Sequence, residues 1–332
     1  VIGADLGGLH ETARAIASLQ HPDGWIPWEA GRHVDPWNHV EALMGIDACG
    51  LHDNAVAGYR WLARIQENDG SWSSAYLNGE AMDPMVDSNF CAYFAAGMWH
   101  HFLATGDQDL LREMWPTMEA AIDMVVSLQR PDGSIAWARD ERGTAWPGAL
   151  LTSSSCIYLS LRCAVAVSEV LGKERREWPA ALQLLGRAVA SDPGAFDLRD
   201  RYAMDWYYPV LAGAVEGGEA RRRLQGSWHR FVVPGWGALC VVDRPWVTAG
   251  ETAELILACD RVGLKREALR LWAWLARLRD SDGLYWTGKN HPSGDRWPHE
   301  KTSWSAGSVL LAADALFGEG PTSTFFSRRP LL

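Results

Sequence analysis

An all-α ring of twelve helices, paired as six hairpins, is the architecture this sequence predicts. Three observations carry it. Apolar residues recur at helical spacing along nearly the whole chain, with few alternating runs. The connections alternate between tight and long. A turn motif recurs four times, each time at the end of an odd-numbered helix. Residues 1–332 are expected to form one domain, since closed rings and barrels reach this length as single units.

The helices are expected near residues 9–19, 37–49, 54–66, 88–104, 108–128 and 151–171, then 174–190, 202–215, 218–228, 251–262, 265–278 and 303–316. Val232-Val233 and Leu239-Cys240-Val241-Val242 read as short strands. Long loops precede the second, fourth, sixth, tenth and twelfth helices, and the loop before the eighth, 191–201, is shorter. The short links Ala104-Thr105-Gly106-Asp107 and Cys49-Gly50-Leu51-His52-Asp53 each follow an even-numbered helix. In a closed ring of hairpins this alternation puts every long loop on one face, where function usually lies.

The repeat reads Gln20-His21-Pro22-Asp23-Gly24-Trp25, then Gln66-Glu67-Asn68-Asp69-Gly70-Ser71-Trp72. It returns as Gln129-Arg130-Pro131-Asp132-Gly133 leading to Trp137, and as Arg279-Asp280-Ser281-Asp282-Gly283 leading to Trp286. Asp-Gly supplies a turn with a positive φ position. Trp25 and Trp72 are expected to plug the gaps between neighbouring hairpins.

Nineteen tryptophans are more than packing requires. An indole is an apolar plate with one N–H donor, which matches a sugar's C–H face rimmed by hydroxyls. Net charge −10 argues against nucleic acid and anionic membranes as partners, and Arg221-Arg222-Arg223 and Arg328-Arg329 are too short to track a phosphate backbone. The six cysteines, at 49, 91, 156, 163, 240 and 259, show no CxxC spacing and read as free thiols of a reducing compartment. Val1-Ile2-Gly3-Ala4-Asp5 has no basic region or long apolar core, and no run reaches the roughly 20 apolar residues of a membrane span, so a cytoplasmic location is expected.

The helix-end QxxDGxW punctuation resembles (α/α)6 toroids, including glucoamylase-like glycosidases, prenyltransferase β subunits and squalene cyclases. Asp87-Ser88-Asn89-Phe90, Ala104-Thr105-Gly106-Asp107 and Leu111-Arg112-Glu113-Met114-Trp115-Pro116 resemble the glucoamylase-like glycosidases most. A narrower similarity is to the actinobacterial hydrolases of methylmannose polysaccharide. The resemblance implies an (α/α)6 toroid that cleaves an α-linked oligo- or polysaccharide with inversion, without a cofactor. The substrate it implies is a methylated α-1,4-mannan first and an α-glucan second. In glucoamylase-like enzymes the general acid precedes the sixth helix, where Asp140 and Glu141 stand here. Their general base precedes the twelfth helix, where 285–291 carries no carboxylate and Glu300 comes late. The family's pair therefore does not carry across intact.

Glycoside hydrolysis needs two carboxyl groups bracketing the scissile bond. Asp35 is the first choice, in the polar cluster Trp28-Glu29-Ala30-Gly31-Arg32-His33-Val34-Asp35-Pro36-Trp37-Asn38-His39, with Glu29 as alternate. Asp before Pro also suits a helix cap, which would itself face the pocket. Glu251 is the second, opening an inner helix after Gly250, with Glu254 three residues on. Trp28, Trp37, Asn38 and His39 are expected against substrate, as are Asp87, Asn89 and Trp137. So are Asp205-Trp206-Tyr207, Trp236, Trp246, Trp286, Lys289 and His291. For Asp87 a capping role is the plainer alternative, and for the 205–207 aromatics a core stripe is equally consistent.

Other chemistries find less support. HExxH and CxxC metal motifs are absent, and His100-His101, adjacent on a helix, are expected to point to different faces, so no metal is assigned. A prenyltransferase needs zinc ligands, of which Cys240 and Asp243 are the nearest match without a companion His. A terpene cyclase needs a DxDD cluster, which does not occur. P-loop, GxGxxG and GxSxG motifs are also missing. A non-catalytic carbohydrate-binding toroid is the alternative from a different class. The oligomeric state is not legible.

Overall fold

The computed structural model describes residues 6–327 with the exception of Leu198. Val1-Ile2-Gly3-Ala4-Asp5 and Arg328-Arg329 lie outside the described residues. Twelve α-helices alternate between two layers. The inner six are α2 (Pro36–Ala48), α4 (Ser88–Thr105), α6 (Leu151–Leu171), α8 (Ala203–Leu211), α10 (Ala249–Arg261) and α12 (Ser303–Phe317). The outer six are α1 (Leu6–Ser18), α3 (His52–Ile65), α5 (Gln108–Ser127), α7 (Glu177–Ser191), α9 (Gly217–Phe231) and α11 (Lys265–Leu275). Each inner helix packs on the next, and α12 returns to α2, which closes the ring. The expected toroid is therefore present, with shifted ends. The eighth helix stops at Leu211 because Gly213 adopts φ 80°, a left-handed turn.

The two layers bury their surfaces differently. α2 is buried on every side from Pro36 to Asp47, as a helix inside a ring must be. The outer α3 buries only a stripe, Ala55, Gly58, Tyr59, Trp61 and Leu62. α6 is long and apolar enough by length and composition to span a membrane, contrary to the expectation that no run would be. It is an inner helix packed between α4 and α8, with 67% of that window buried in the ring.

The repeated turn works as a clasp. Gln20, Gln66 and Gln129 each donate from Nε2 to the carbonyl of their own turn glycine, at 2.7, 2.9 and 3.1 Å. The same amides donate to Asn54, Thr117 and Ala181, on the next outer helix in each case. In the fourth copy Arg279 donates to the Gly8 carbonyl, and Thr12 donates to the Gly283 carbonyl at 2.7 Å, tying α11 to α1. Gly70 has φ +87°, and a Cβ there would lie 2.3 Å from the Ala120 carbonyl oxygen, so no larger residue fits. Trp72 is fully buried with its indole donating to the Leu62 carbonyl, as the plug reading expected. Trp25 is half-buried and stacks on His21.

The long connections carry short antiparallel ladders over the N-terminal ends of the inner helices. β1 (Ala75–Leu77) pairs with β2 (Glu80–Asp83), and β3 (Val86–Asp87) pairs with β4 (Ala138–Arg139). β5 (Val232–Val233) pairs with β6 (Gly237–Ala238), and β7 (Trp246–Thr248) pairs with β8 (Gly288–Asn290). The expected strand at 232–233 is present, whereas 239–242 makes only single bridges from Leu239 and Val241.

Gly70→Ala is expected to destabilise the protein by about 3 kcal/mol, from left-handed strain plus the clash with α5. Urea denaturation measures it. A loss below about 0.5 kcal/mol, the scatter of neutral surface changes, contradicts the clasp.

Candidate active site

The first turns of the inner helices gather the polar side chains of one end of the ring. Asp35 caps α2, its Oδ1 accepting the Asn38 N–H at 2.9 Å while the Asn38 amide donates to Oδ2. His33 lies 4.0 Å from the same carboxyl, and Trp28 stacks on His33. Asp87 caps α4 through the Asn89 and Phe90 N–H groups. Glu251, in the first turn of α10, accepts from the Cys240 thiol. All three carboxyl groups are buried.

Trp304 connects the α2 and α10 sides. It stands in the first turn of α12, which packs between those two helices. Its ring meets Trp37 edge-on at 5.7 Å, and a Cβ on Gly250 would fall 2.2 Å from its far edge. Gly250 is thus the space that admits the indole beside Glu251. Asp35 stands two residues before Trp37 in the chain, and Glu251 directly follows Gly250.

Several buried polar atoms at this end have no hydrogen-bond partner: Trp304 Nε1, Asn89 Oδ1, Ser154 Oγ on α6, Trp246 Nε1 and Thr248 Oγ1. Buried polar groups are ordinarily paired, so a rim of unpaired donors and acceptors is suited to a hydroxyl-rich ligand. Electrostatics adds to this. Burial raises the Asp35 pKa, opposed by its Asn38 hydrogen bonds and by His33. Burial pushes Asp87 up to about 7, with the neighbouring Asp35 charge adding to it and the two capping N–H groups opposing. A carboxyl that keeps its proton near neutrality can donate to a leaving oxygen.

Below this floor lies a second polar layer. Glu41 accepts from Tyr93 at 2.5 Å and Ser308 at 2.7 Å. Glu254 accepts from both Tyr207 and Tyr208. Burial raises both acids. Glu254 therefore does not share Glu251's surroundings, and Tyr207, fully buried, serves the ring interior rather than a substrate wall.

Other expected site residues have structural partners. His39 is fully buried, accepts the Ile26 N–H and meets Trp61, and burial pushes it down to about 4. Trp206 donates to the Arg223 carbonyl and stacks on Phe231, so it joins α8 to α9. Asp205 accepts from Thr152 Oγ1 at 2.5 Å and lines, with Trp206, a flank cavity of about 500 Å³ between α9 and the loop before α8. Glu29 accepts the Lys301 N–H at 2.9 Å, tying two loops together. Asp140 caps its own hairpin turn through the Arg142 and Thr144 N–H groups, and Glu141 is exposed; both line a separate flank pocket with Arg139.

In the last loop, Trp286 is covered by Arg296, 4.0 Å above its ring, and by Lys301. Lys289 donates to the Arg277 carbonyl. Trp236 sits beside His291 and under Arg277, away from the floor. Trp137 and Trp246 are half-buried, each edge-on to an exposed indole, Trp146 and Trp297.

Sequence reasoning missed four residues: Trp304, Glu41, Trp146 and Trp297. The last two left a signal, a Trp-Pro dipeptide in each of two long loops. Asp243 pairs with Arg201 and the Cys240 thiol faces Glu251, so they do not form the zinc pair a prenyltransferase needs. At the opposite end, Asp47, His52 and His101 gather ligand-type atoms within 4.8 Å of one another. His101 meets Asp47 at 3.0 Å with His100 at 3.7 Å, so the two histidines converge rather than diverge as expected. Hydrogen bonds to Asp47 account for the His52 and His101 contacts.

Asp87→Asn tests the electrostatics. Free Asp titrates near 3.9 and folded Asp87 near about 7. The stabilisation from neutral Asp87 is thus full below about pH 4 and lost as pH rises through about 7. Urea denaturation should show stability changing less with pH across this window in the variant than in the parent. Equal slopes contradict the assignment.

No protein-family model matches the chain. An MMP endo-(1,4)-3-O-methyl-α-D-mannosidase of Mycolicibacterium hassiacum is 47% identical over 316 residues, 95% of this chain and 88% of that protein. Among solved structures, a glycosidase in complex with glucose matches with TM-score 0.73 at 18% identity, covering 95% of this chain and 99% of the other. A D-mannose isomerase matches with TM-score 0.71 at 11% identity, covering 94% and 98%. At these identities the structures share the ring alone, which hosts hydrolysis and isomerisation alike.

Proposed function

The chain belongs to the family of the MMP endo-(1,4)-3-O-methyl-α-D-mannosidase, a glycoside hydrolase family, and on that premise we propose that it cleaves internal linkages of a 3-O-methylated α-1,4-mannan. What supports the mechanism is that Asp35 and Glu251 are both buried at inner-helix starts, each close in the chain to a residue of the Trp37–Trp304–Gly250 contact. Asp35 is the general acid. Burial favours its protonated form, and the Asn38 amide orients it. It donates its proton to the glycosidic oxygen as the bond to the anomeric carbon breaks. Glu251 takes a proton from the water that attacks that carbon from the opposite face.

The reaction proceeds with inversion. The support for inversion is the resemblance to glucoamylase-like glycosidases; an inverting pair would hold its carboxyls roughly 6.5–9.5 Å apart, with room for the attacking water between them. The indoles of the floor offer apolar surface to sugar C–H groups and methyl ethers. Six free thiols support a cytoplasmic setting, and the net charge of −10 supports carbohydrate over nucleic acid or anionic membrane as the partner.

Asp35→Asn and Glu251→Gln should each lower kcat on methylmannan oligosaccharides by about 10²–10⁴-fold while the circular dichroism spectrum is kept. Anomeric proton NMR of the early products should show the β-anomer first. Near-normal turnover in both variants overturns the pair, and an α-anomer first overturns inversion. Saturable binding by the parent protein with no release of reducing ends would favour a carbohydrate-binding protein instead.

A further inference from the structure

The loop leading into α6 and the loop leading into α12 are structural copies. In the first, the Trp146 N–H donates to the Ala138 carbonyl at 2.9 Å, and the Trp137 carbonyl accepts the Ser88 N–H at 3.0 Å. In the second, the Trp297 N–H donates to the Gly288 carbonyl at 3.1 Å, and the Thr287 carbonyl accepts the Ala249 N–H at 3.0 Å. Each loop thus folds back as a hairpin and holds the first residue of the preceding inner helix, α4 or α10. Each ends on a Trp-Pro dipeptide. In a ring of six hairpins these copies stand three places apart, on opposite sides of the mouth.

Trp146 is 40% exposed and Trp297 54%. The sequence has 19 tryptophans, and among the described residues these are the two exposed ones, at the same position in both copies. Neither is loosely held. Trp137 meets Trp146 edge-on at 4.8 Å, and Trp246 meets Trp297 edge-on at 4.8 Å. An edge-on contact fixes an indole while leaving at least one of its faces uncovered by that contact. Beside Trp297, the Trp246 Nε1–H is buried without a partner, so a donor waits there for an acceptor.

We propose that Trp146 and Trp297 are the outer sugar platforms of a cleft that crosses the mouth, each stacking on one unit of the polysaccharide on either side of the cleaved bond. This rests on the hydrolase reading above. An enzyme that cuts within a chain must accommodate sugar on both sides of the scissile bond, and two opposed aromatic plates meet that need. A methylated sugar suits them because its hydrophobic face extends over the methyl ether, while its remaining oxygens can accept from the Trp246 indole. Trp297 belongs to the loop that leads into α12, where Trp304 meets Trp37 and Gly250. Trp146 holds the α6 side, opposite.

The test uses Trp146→Ala, Trp297→Ala and the matching Phe variants. Calorimetry measures binding of a long 3-O-methylmannose oligomer and of the trisaccharide, and reducing-end assays follow turnover of both. Each Ala variant should weaken affinity for the long oligomer on the order of tenfold, leave the trisaccharide within about twofold, and be largely rescued by Phe. Equal affinity for the long oligomer in all variants overturns the proposal, as does a parallel loss on both ligands. A shift from dimer to monomer in either Ala variant, with sugar affinity unchanged, also overturns it and makes the indoles a self-association surface. If the parent binds the long oligomer through these residues yet releases no reducing ends, the platforms stand and the hydrolase reading falls.

Discussion

The glutamine and glycine of each Gln-x-x-Asp-Gly turn hold one outer helix to the next, and the rest of the molecule depends on that contact. An outer helix has one apolar stripe and rests on inner helices that are buried all round. Apolar packing is non-directional and does not by itself fix how far around the ring each hairpin rotates. The side-chain amide does, because it satisfies two backbone carbonyls in two different hairpins. The glycine lets the turn approach the neighbouring helix backbone to a distance that excludes any Cβ. The motif is missing after α7 and after α9, and the flank cavity beside Asp205 lies between α9 and the loop that follows α7.

With the outer layer indexed in this way, the inner helices present their first turns to one common mouth. Their exposed N–H groups favour carboxylates as caps, and Asp35 and Asp87 are there first as caps. In the proposed mechanism capping and chemistry coincide at Asp35, whose carboxyl both closes the helix end and stands at the mouth of the ring. Burial then determines protonation. Asp87, beside Asp35, holds its proton up to about pH 7, whereas the deeper Glu41 and Glu254 are engaged by tyrosines. Depth along the ring axis thus separates acids with free positions toward the mouth from acids bound into the core.

The ring alone does not choose a reaction, since a glycosidase and a D-mannose isomerase share it. The choice lies in what stands on the first turns and in the loops above them. Here these are three buried carboxyl groups, an indole floor and polar atoms without partners among the described residues. The histidines that do gather are at the other end, around Asp47.

Much of this was legible in the chain. Helical periodicity, alternating loop lengths and the Asp-Gly repeat determined twelve helices in six hairpins, because these are local properties of backbone and side chain. That Asp35 and Glu251 stand at the starts of inner helices was legible too. What the sequence could not convey was which aromatic faced where. Tyr207, Trp206 and His39 share composition and neighbourhood with sugar-binding residues, yet they turn into the core or between layers, since rotation about a helix axis is determined by distant partners such as Glu254, Phe231 and Ile26. Trp304 emerged only once the ring had closed, when residues more than two hundred positions apart in the chain, Trp37 and Trp304, came into contact. The sequence determined the hairpins and their capping acids; tertiary packing alone decided which side chains remain without protein partners, because that depends on every neighbour the closed ring supplies.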